Sequence, residues 1–403
     1  MHEMTVPANQ APAYPIGREC PYRPSPRNEA LRARGPLAKV TLYDGRESWL
    51  VTGFEQARQL LADPRISIDP RRDGFPFVSA DMAGLDDTGY TDVLIGVDPP
   101  VHTRQRAMLI SSFSARRIRR LRPVLQAIVD EQIDAMIAAG PGADLVSAFS
   151  VPVPSMAICV LMGVPYEDRA AFEKPARALF DPDPAHAEQA MADMTAYFDD
   201  VVGAKLLRPG DGLLDDLIAE QIRPGRLTRA ELVQYAMLML IAGQDTTANV
   251  ISLGVLALLE HPEQFAALRD DPTLAAGAVE EIMRYVSLIE AISRVAVDDI
   301  DIAGVRIRAG EGVLIGAAAA NFTTDLVARP EELDVRREPR RHLGFGHGIH
   351  QCIGQNLARL ELELVFREIP RRLPGLRLAV PVTEVPTSVT GPLERVERLP
   401  ITW

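Results

Sequence analysis

The chain has 403 residues, 47% hydrophobic and 24% charged, a composition that supports a large buried core and excludes an intrinsically disordered protein. Its 43 basic and 55 acidic residues give a net charge of -12, which excludes a general attraction to nucleic acid or anionic lipid and leaves only local patches for charged partners. Three cysteines, Cys20, Cys159 and Cys352, are too few and too scattered for a disulfide framework or a four-ligand zinc site, so single-thiolate chemistry is the role left to them.

The opening MHEMTVPANQAPAYPIG lacks a charged start leading into an apolar run, the pattern of a secretion signal or membrane anchor, and the cytoplasm is the expected location. Residues 37–52 read as extended. From about Asp98 to Tyr285 helical periodicity dominates. His102 and Arg106, four apart, share a helical face, and two cations on one face suit an anion, with a solvated basic face as the plainer alternative. Arg116, Arg117, Arg119, Arg120 and Arg122 follow, a run that most often marks a solvated face.

Residues 229–260 read as one unusually long helix closed by Pro262, and at about 1.5 Å per residue it would cross a whole domain. Its longest apolar run, Ala236 to Gly243, is too short to span a bilayer and gives way to Gln244, Asp245, Thr246 and Thr247. A threonine here can bond back to the carbonyl four residues earlier and bend the helix. Asp245 and Thr246 are also chemically suited to pass protons. Glu281 and Arg284, three apart on a helix, can pair, although such pairs are common on surfaces. Residues 293–316 and the Pro-punctuated tail after 375 read as short strands joined by Gly-containing turns. The expected fold class is mainly α with small peripheral β-sheets. With no linker in the middle of the chain, a single domain over 1–403 is expected.

The most informative stretch is Phe345-Gly346-His347-Gly348-Ile349-His350-Gln351-Cys352-Ile353-Gly354, followed by the amphipathic QNLARLELELVFREI. A glycine-rich loop presents one sulfur at a helix N-terminus, where amides and the helix dipole favour a thiolate. Glycines 346, 348 and 354 would let backbone approach a flat object closely. A buried inert thiol is the plainer reading of a lone cysteine.

The pattern FGxGxHxCxGxxLAR, complete from Phe345 to Arg359, resembles the haem-binding signature of the cytochrome P450 family. That resemblance implies the P450 fold, haem b (iron protoporphyrin IX) and Cys352 as axial iron ligand, a thiolate that assists O–O cleavage. EEIMRYVSLIEAISRVA resembles the family's ExxR helix, which implies a structural triad of Glu281, Arg284 and Arg337. Ala242-Gly243-Gln244-Asp245-Thr246-Thr247 resembles the oxygen-activation motif. By that likeness a groove at Ala242 and Gly243 takes dioxygen, Thr246 orients it and Asp245 supplies protons. The likeness also assigns His102, Arg106, Arg294 and His350 to the haem propionates, Phe345 and Gly346 to the haem pocket, and Phe75, Phe77, Ile289 and Ile292 to an apolar substrate pocket.

The resemblance runs nearly the whole length and is nearest the bacterial branch that hydroxylates macrolides, other polyketides, vitamin D-like steroids and xenobiotics. It implies a monooxygenase acting on a hydrophobic small molecule with O2, fed by a ferredoxin and its reductase docking near the arginine run. Neither nucleic acid nor membrane is expected as a partner. The alternatives are a haem-thiolate peroxygenase, which retention of Asp245 and Thr246 disfavours, a non-oxygenating haem protein, and a cysteine hydrolase. One departure stands out: Asn321-Phe322-Thr323-Thr324 replaces the family's usual Asn-Arg-Asp-Pro or Asn-His-Asp-Pro.

Overall fold

The computed structural model describes residues 11–18, 20–85, 92–179, 183–338, 341–390 and 393–403. The expected long helix spans Arg229–Glu260. It starts at a capping box: Thr228 Oγ1 accepts from the Glu231 amide at 3.2 Å, and the Glu231 carboxylate accepts from the Thr228 amide at 2.8 Å. It ends at His261, because Pro262 opens the next helix, Pro262–Asp270, at its first position. Over 32 residues the helix is about 48 Å long, enough to run through the whole core.

Leucines, methionines, isoleucines and valines are buried on nearly every side of it, so it is enclosed by other helices and has no broad solvent face. Helices Pro152–Met162, Pro184–Leu207, Ala275–Val286 and Gln355–Arg372 pack against it. Their apolar residues form one cluster with it. Among the described residues no helix is long and apolar enough to cross a membrane.

The strands are β1 (Leu37–Thr41), β2 (Glu47–Val51), β3 (Ile66–Ser67), β4 (Ile292–Ala296), β5 (Ile300–Ile302), β6 (Val305–Ile307), β7 (Gly312–Ile315), β8 (Arg377–Leu378), β9 (Thr387–Thr390), β10 (Leu393–Val396) and β11 (Ile401–Thr402). The largest sheet has the order β1-β2-β7-β4-β3, with β2 and β7 parallel and the other neighbours antiparallel. It draws together the two extended stretches expected at 37–52 and 293–316. The two-residue β3 carries no periodicity of its own and was not expected. The tail forms two pairs, β9 with β10 and β8 with β11. The β9–β10 pair lies against the long helix, and a backbone bridge joins Leu393 to Ile289.

Candidate active site

The cysteine loop is a turn held by its own backbone. The Cys352 amide donates to Phe345 O at 2.9 Å, the Gly346 amide to Leu343 O at 2.9 Å, and the Gln351 amide to Gly348 O at 3.1 Å. Arg106 Nη2 donates to Gln351 O at 2.7 Å, tying the loop to helix Val101–Leu109. Gly354 caps helix Gln355–Arg372, so Cys352 sits at that helix's N-terminus as expected. Phe345 is buried under the Arg359 guanidinium, 4.3 Å from its ring centroid.

The glycines divide their work differently from the expectation. Gly346, at φ +67, has open space where a Cβ would be. Gly348, at φ +75, would drive a Cβ to 2.2 Å from Leu61 O, so it is fixed by packing on helix Phe54–Ala62. Gly354 has an ordinary φ of -78.

Cys352 is itself exposed, while protein crowds closely around its sulfur. Burial pushes its thiol above the ordinary range, outweighing the Gly354 and Gln355 amides and the Arg106 and Arg359 charges that pull it down. The helix terminus alone does not ionise this sulfur. A metal cation bonded to it would.

Next to the loop, four basic side chains converge. The His102 and His350 rings lie 4.0 Å apart, centroid to centroid. Burial lowers His102, Arg106 and Arg294, the last to about 10. His350 is pushed down to about 3 by burial and then by the charges of His102, Arg294 and Arg106. The nearby acid, Asp98, is already bonded to Ser67 Oγ at 2.5 Å and the Ile68 amide at 3.1 Å. Among the described residues no carboxylate pairs with any of the four, and the buried Nδ1 of His102 has no partner. Buried cations require an anion, and two arginines with two imidazoles fit a group carrying two carboxylate arms beside a thiolate-bound metal. An iron porphyrin with propionates is such a group.

On the long helix, Thr246 Oγ1 donates to Ala242 O at 2.7 Å, the backbone bond open to a helical threonine. Ala242 is exposed on the helix wall. Gly243 is explained by packing: a Cβ there would stand 3.1 Å from Ile158 on helix Pro152–Met162. The missing side chain therefore lets two helices meet, and the groove expected at Gly243 is occupied on that side by Ile158. Asp245 Oδ2 accepts from Arg395 Nη2 at 2.7 Å. Arg395 is a partner the sequence did not indicate, because it stands 150 residues away in an alternating charged tail.

The structural triad assembles as expected. Arg284 reaches both Glu281 oxygens, at 2.8 and 2.9 Å, and Arg337 Nε reaches Oε1 at 3.1 Å. Arg284 also donates to the carbonyls of Asn321, Pro330 and Glu332, stapling the irregular segment 321–337 to helix Ala275–Val286. The departure at 321–324 sits inside this staple and is well packed. Asn321 Oδ1 accepts from the Leu343 amide at 2.8 Å, and its Nδ2 donates to Ser287 Oγ at 3.2 Å. Phe322 lies 5.6 Å from the Tyr285 ring with the Arg284 guanidinium 5.3 Å from its own centroid, while buried Thr323 donates to Ala320 O at 3.1 Å. Aromatic and cation–π contacts hold the segment here.

The Phe75 and Phe77 rings meet at a tilt, their centroids 5.0 Å apart, and Ser293 Oγ donates to Pro76 O at 3.0 Å, which brings that loop to β4 and Ile292. Ile289 is apart from these, packed with the helical core beside Leu393. The arginine run is not one free face: Arg117 pairs with Asp216, and Arg122 donates to Glu363 at 2.9 Å. Arg116, Arg119 and Arg120 remain exposed on helix Ala115–Arg120.

The chain matches the family model "Cytochrome P450" over residues 204–373. It is 47% identical to pentalenic acid synthase of Streptomyces avermitilis, covering 97% of each chain. It is 45% identical to Vitamin D3 dihydroxylase of Streptomyces griseolus, covering 99% of this chain and 98% of the relative. Among solved structures, the mycinamicin VIII methyl hydroxylase of Micromonospora griseorubida bound to mycinamicin VIII superposes with a TM-score of 0.91 at 36% identity, over 97% of this chain and all of that one. Likeness of this degree along the full length of both partners establishes that the chain belongs to the cytochrome P450 family and is a haem-thiolate monooxygenase carrying haem b.

Proposed function

We propose that this enzyme hydroxylates or epoxidises a hydrophobic natural product of the polyketide or macrolide kind, with Cys352 as the axial ligand. When bound, the haem iron supplies activation of O2: with two electrons and two protons, one oxygen atom enters a C–H or C=C bond and the other leaves as water. The observation that carries the site assignment is the convergence beside the cysteine loop of four basic side chains, His102 and Arg294 buried and Arg106 and His350 half-buried, with no carboxylate paired to them among the described residues. His102, Arg106, Arg294 and His350 hold the propionates, with arginine offering two parallel donors. Phe345 and Gly346, with Cys352, would hold the haem from the cysteine loop, and the Ala242 and Gly243 backbone on the long helix would border the space where oxygen is activated. Thr246, whose hydroxyl proton is parked on Ala242 O, orients the dioxygen, and Asp245 brings protons to it from the outer side of the helix. Glu281, Arg284 and Arg337 are structural.

Phe75, Phe77 and Ile292 line one side of an apolar pocket and Ile289, beside Leu393, a separate side, and the relatives' substrates, vitamin D3 and mycinamicin VIII among them, support a bulky apolar ligand. A ferredoxin with its reductase supplies the electrons, in the cytoplasm. Its acidic surface would meet Arg116, Arg119 and Arg120.

Titration of the purified enzyme with vitamin D3, mycinamicin VIII and related macrolides tests the substrate class. A ligand of that class displaces iron-bound water, seen as a Soret shift, and product analysis then locates the inserted oxygen. Shifts confined to small polar compounds refute the class. The reduced, carbon monoxide-bound spectrum tests the ligand: loss of its thiolate form in Cys352→Ser is expected.

A further inference from the structure

Asp245 is held on the outer side of the long helix. Its ion pair with Arg395 is 2.7 Å long and largely enclosed, the two side chains being 25% and 15% exposed. Arg395 makes this bond through one terminal nitrogen only, and its buried Nε has no partner among the described residues. One helical turn further on, Asn249 Nδ2 donates to Asp245 O at 3.0 Å, and Asn249 Oδ1 accepts from the Val396 amide at 3.2 Å. Arg395 and Val396 both belong to β10, and Leu393 on the same strand bridges to Ile289. A continuous path therefore runs from Ile289, through the β10 backbone, to the carboxylate of Asp245.

We propose that Arg395 is a latch, a positioning residue that keeps Asp245 turned toward β10 until substrate, pressing on Ile289 and Leu393, shifts the strand and frees the carboxylate. The proposal rests on the reading of Asp245 as proton carrier. A charge-assisted hydrogen bond is about twice as strong as a neutral one, enough to hold the side chain, while a single-point contact can still let go. Two arrangements a few kcal/mol apart suffice for such a switch. Once free, Asp245 passes a proton toward Thr246 and regains one from solvent, so the acid is unchanged over a cycle. The benefit lies in the idle enzyme. Without substrate, two electrons from the reduced ferredoxin and two protons convert O2 to hydrogen peroxide, and a latched acid keeps this loss slow.

The test uses the holoenzyme with a ferredoxin, its reductase and NADPH, without organic substrate. Arg395→Gln is expected to raise peroxide release about tenfold, because a freed state of a few per cent becomes the major one. Arg395→Lys, which keeps the charge, stays near the parent. Asp245→Asn alone lowers release, and Asp245→Asn with Arg395→Gln matches Asp245→Asn. Amide exchange at Val396 should quicken in Arg395→Gln.

Unchanged peroxide release in Arg395→Gln, or a rise that survives in the double variant, overturns the latch. Quicker exchange without extra peroxide also overturns it and leaves Arg395 an anchor for the strand. Asp245→Asn with parental release refutes the proton-carrier reading itself, whatever Arg395 does.

Discussion

Thr246 has a single hydroxyl proton, and the fold spends it on Ala242 O. Both roles open to this residue, helix bond and oxygen partner, thus share one geometry. Thr246→Ala should leave substrate affinity nearly unchanged while electrons are diverted from product to hydrogen peroxide. Measuring the ratio of product to NADPH consumed decides it, and unchanged coupling removes Thr246 from the chemistry. A second residue-scale expectation concerns Glu280. Burial alone would raise its carboxyl, but hydrogen bonds and charge from His342 and Arg359 pull it from 4.5 to about 2. A carboxyl depressed on folding stabilises the protein above its unfolded pKa, and that contribution fades as pH falls through the folded value. Glu280→Gln should therefore cost about 3 kcal/mol at neutral pH, the linkage expected of a carboxyl held that far below its unfolded range. Parent and variant should converge toward pH 2, as denaturant unfolding at stepped pH would show. Single residues were legible where a local motif carried them, as with Cys352. Arg395 and Glu280 were not, because their partners lie far away in sequence and only the fold measures that distance.

At the scale of elements, the long helix was read to its ends because both carry chemical signals, a capping box and a proline. The pairing of β2 with β7 was not legible, since nothing in either strand records a parallel neighbour 264 residues on. The packing roles of Gly348 and Gly243 were not legible, because composition does not say what a loop or helix packs against, and Leu61 and Ile158 decide those points. The Glu281–Arg284–Arg337 staple yields an element-scale prediction. Glu281→Gln leaves Arg284 buried and underpaired, so the variant should lose about 3–5 kcal/mol and release haem on mild heating. Following the Soret band through a thermal ramp measures this. The arginine helix yields another. Arg116→Glu with Arg120→Glu should slow reduction by an acidic ferredoxin and weaken its dependence on salt, leaving substrate-induced spectral shifts intact. Stopped-flow reduction with parental rate and salt slope would place docking elsewhere.

For the molecule as a whole, we propose a single domain over 1–403. Far-UV ellipticity and haem absorbance should then fall in one transition, because the long helix contacts both the cysteine helix and the β9–β10 pair. Two separated transitions would divide it. The four converging bases carry one more consequence, for the order of assembly. On the propionate reading, Arg106 and Arg294 keep their charge in this cleft while burial holds the His102 and His350 imidazoles neutral, so two incoming carboxylates would complete it. On that reading the cleft selects a pigment by its acid arms as well as by its metal. Haem whose propionates are methyl-esterified has the same iron and ring but brings no charge. It should enter poorly and leave quickly, whereas zinc protoporphyrin, with its carboxylates free, should be retained.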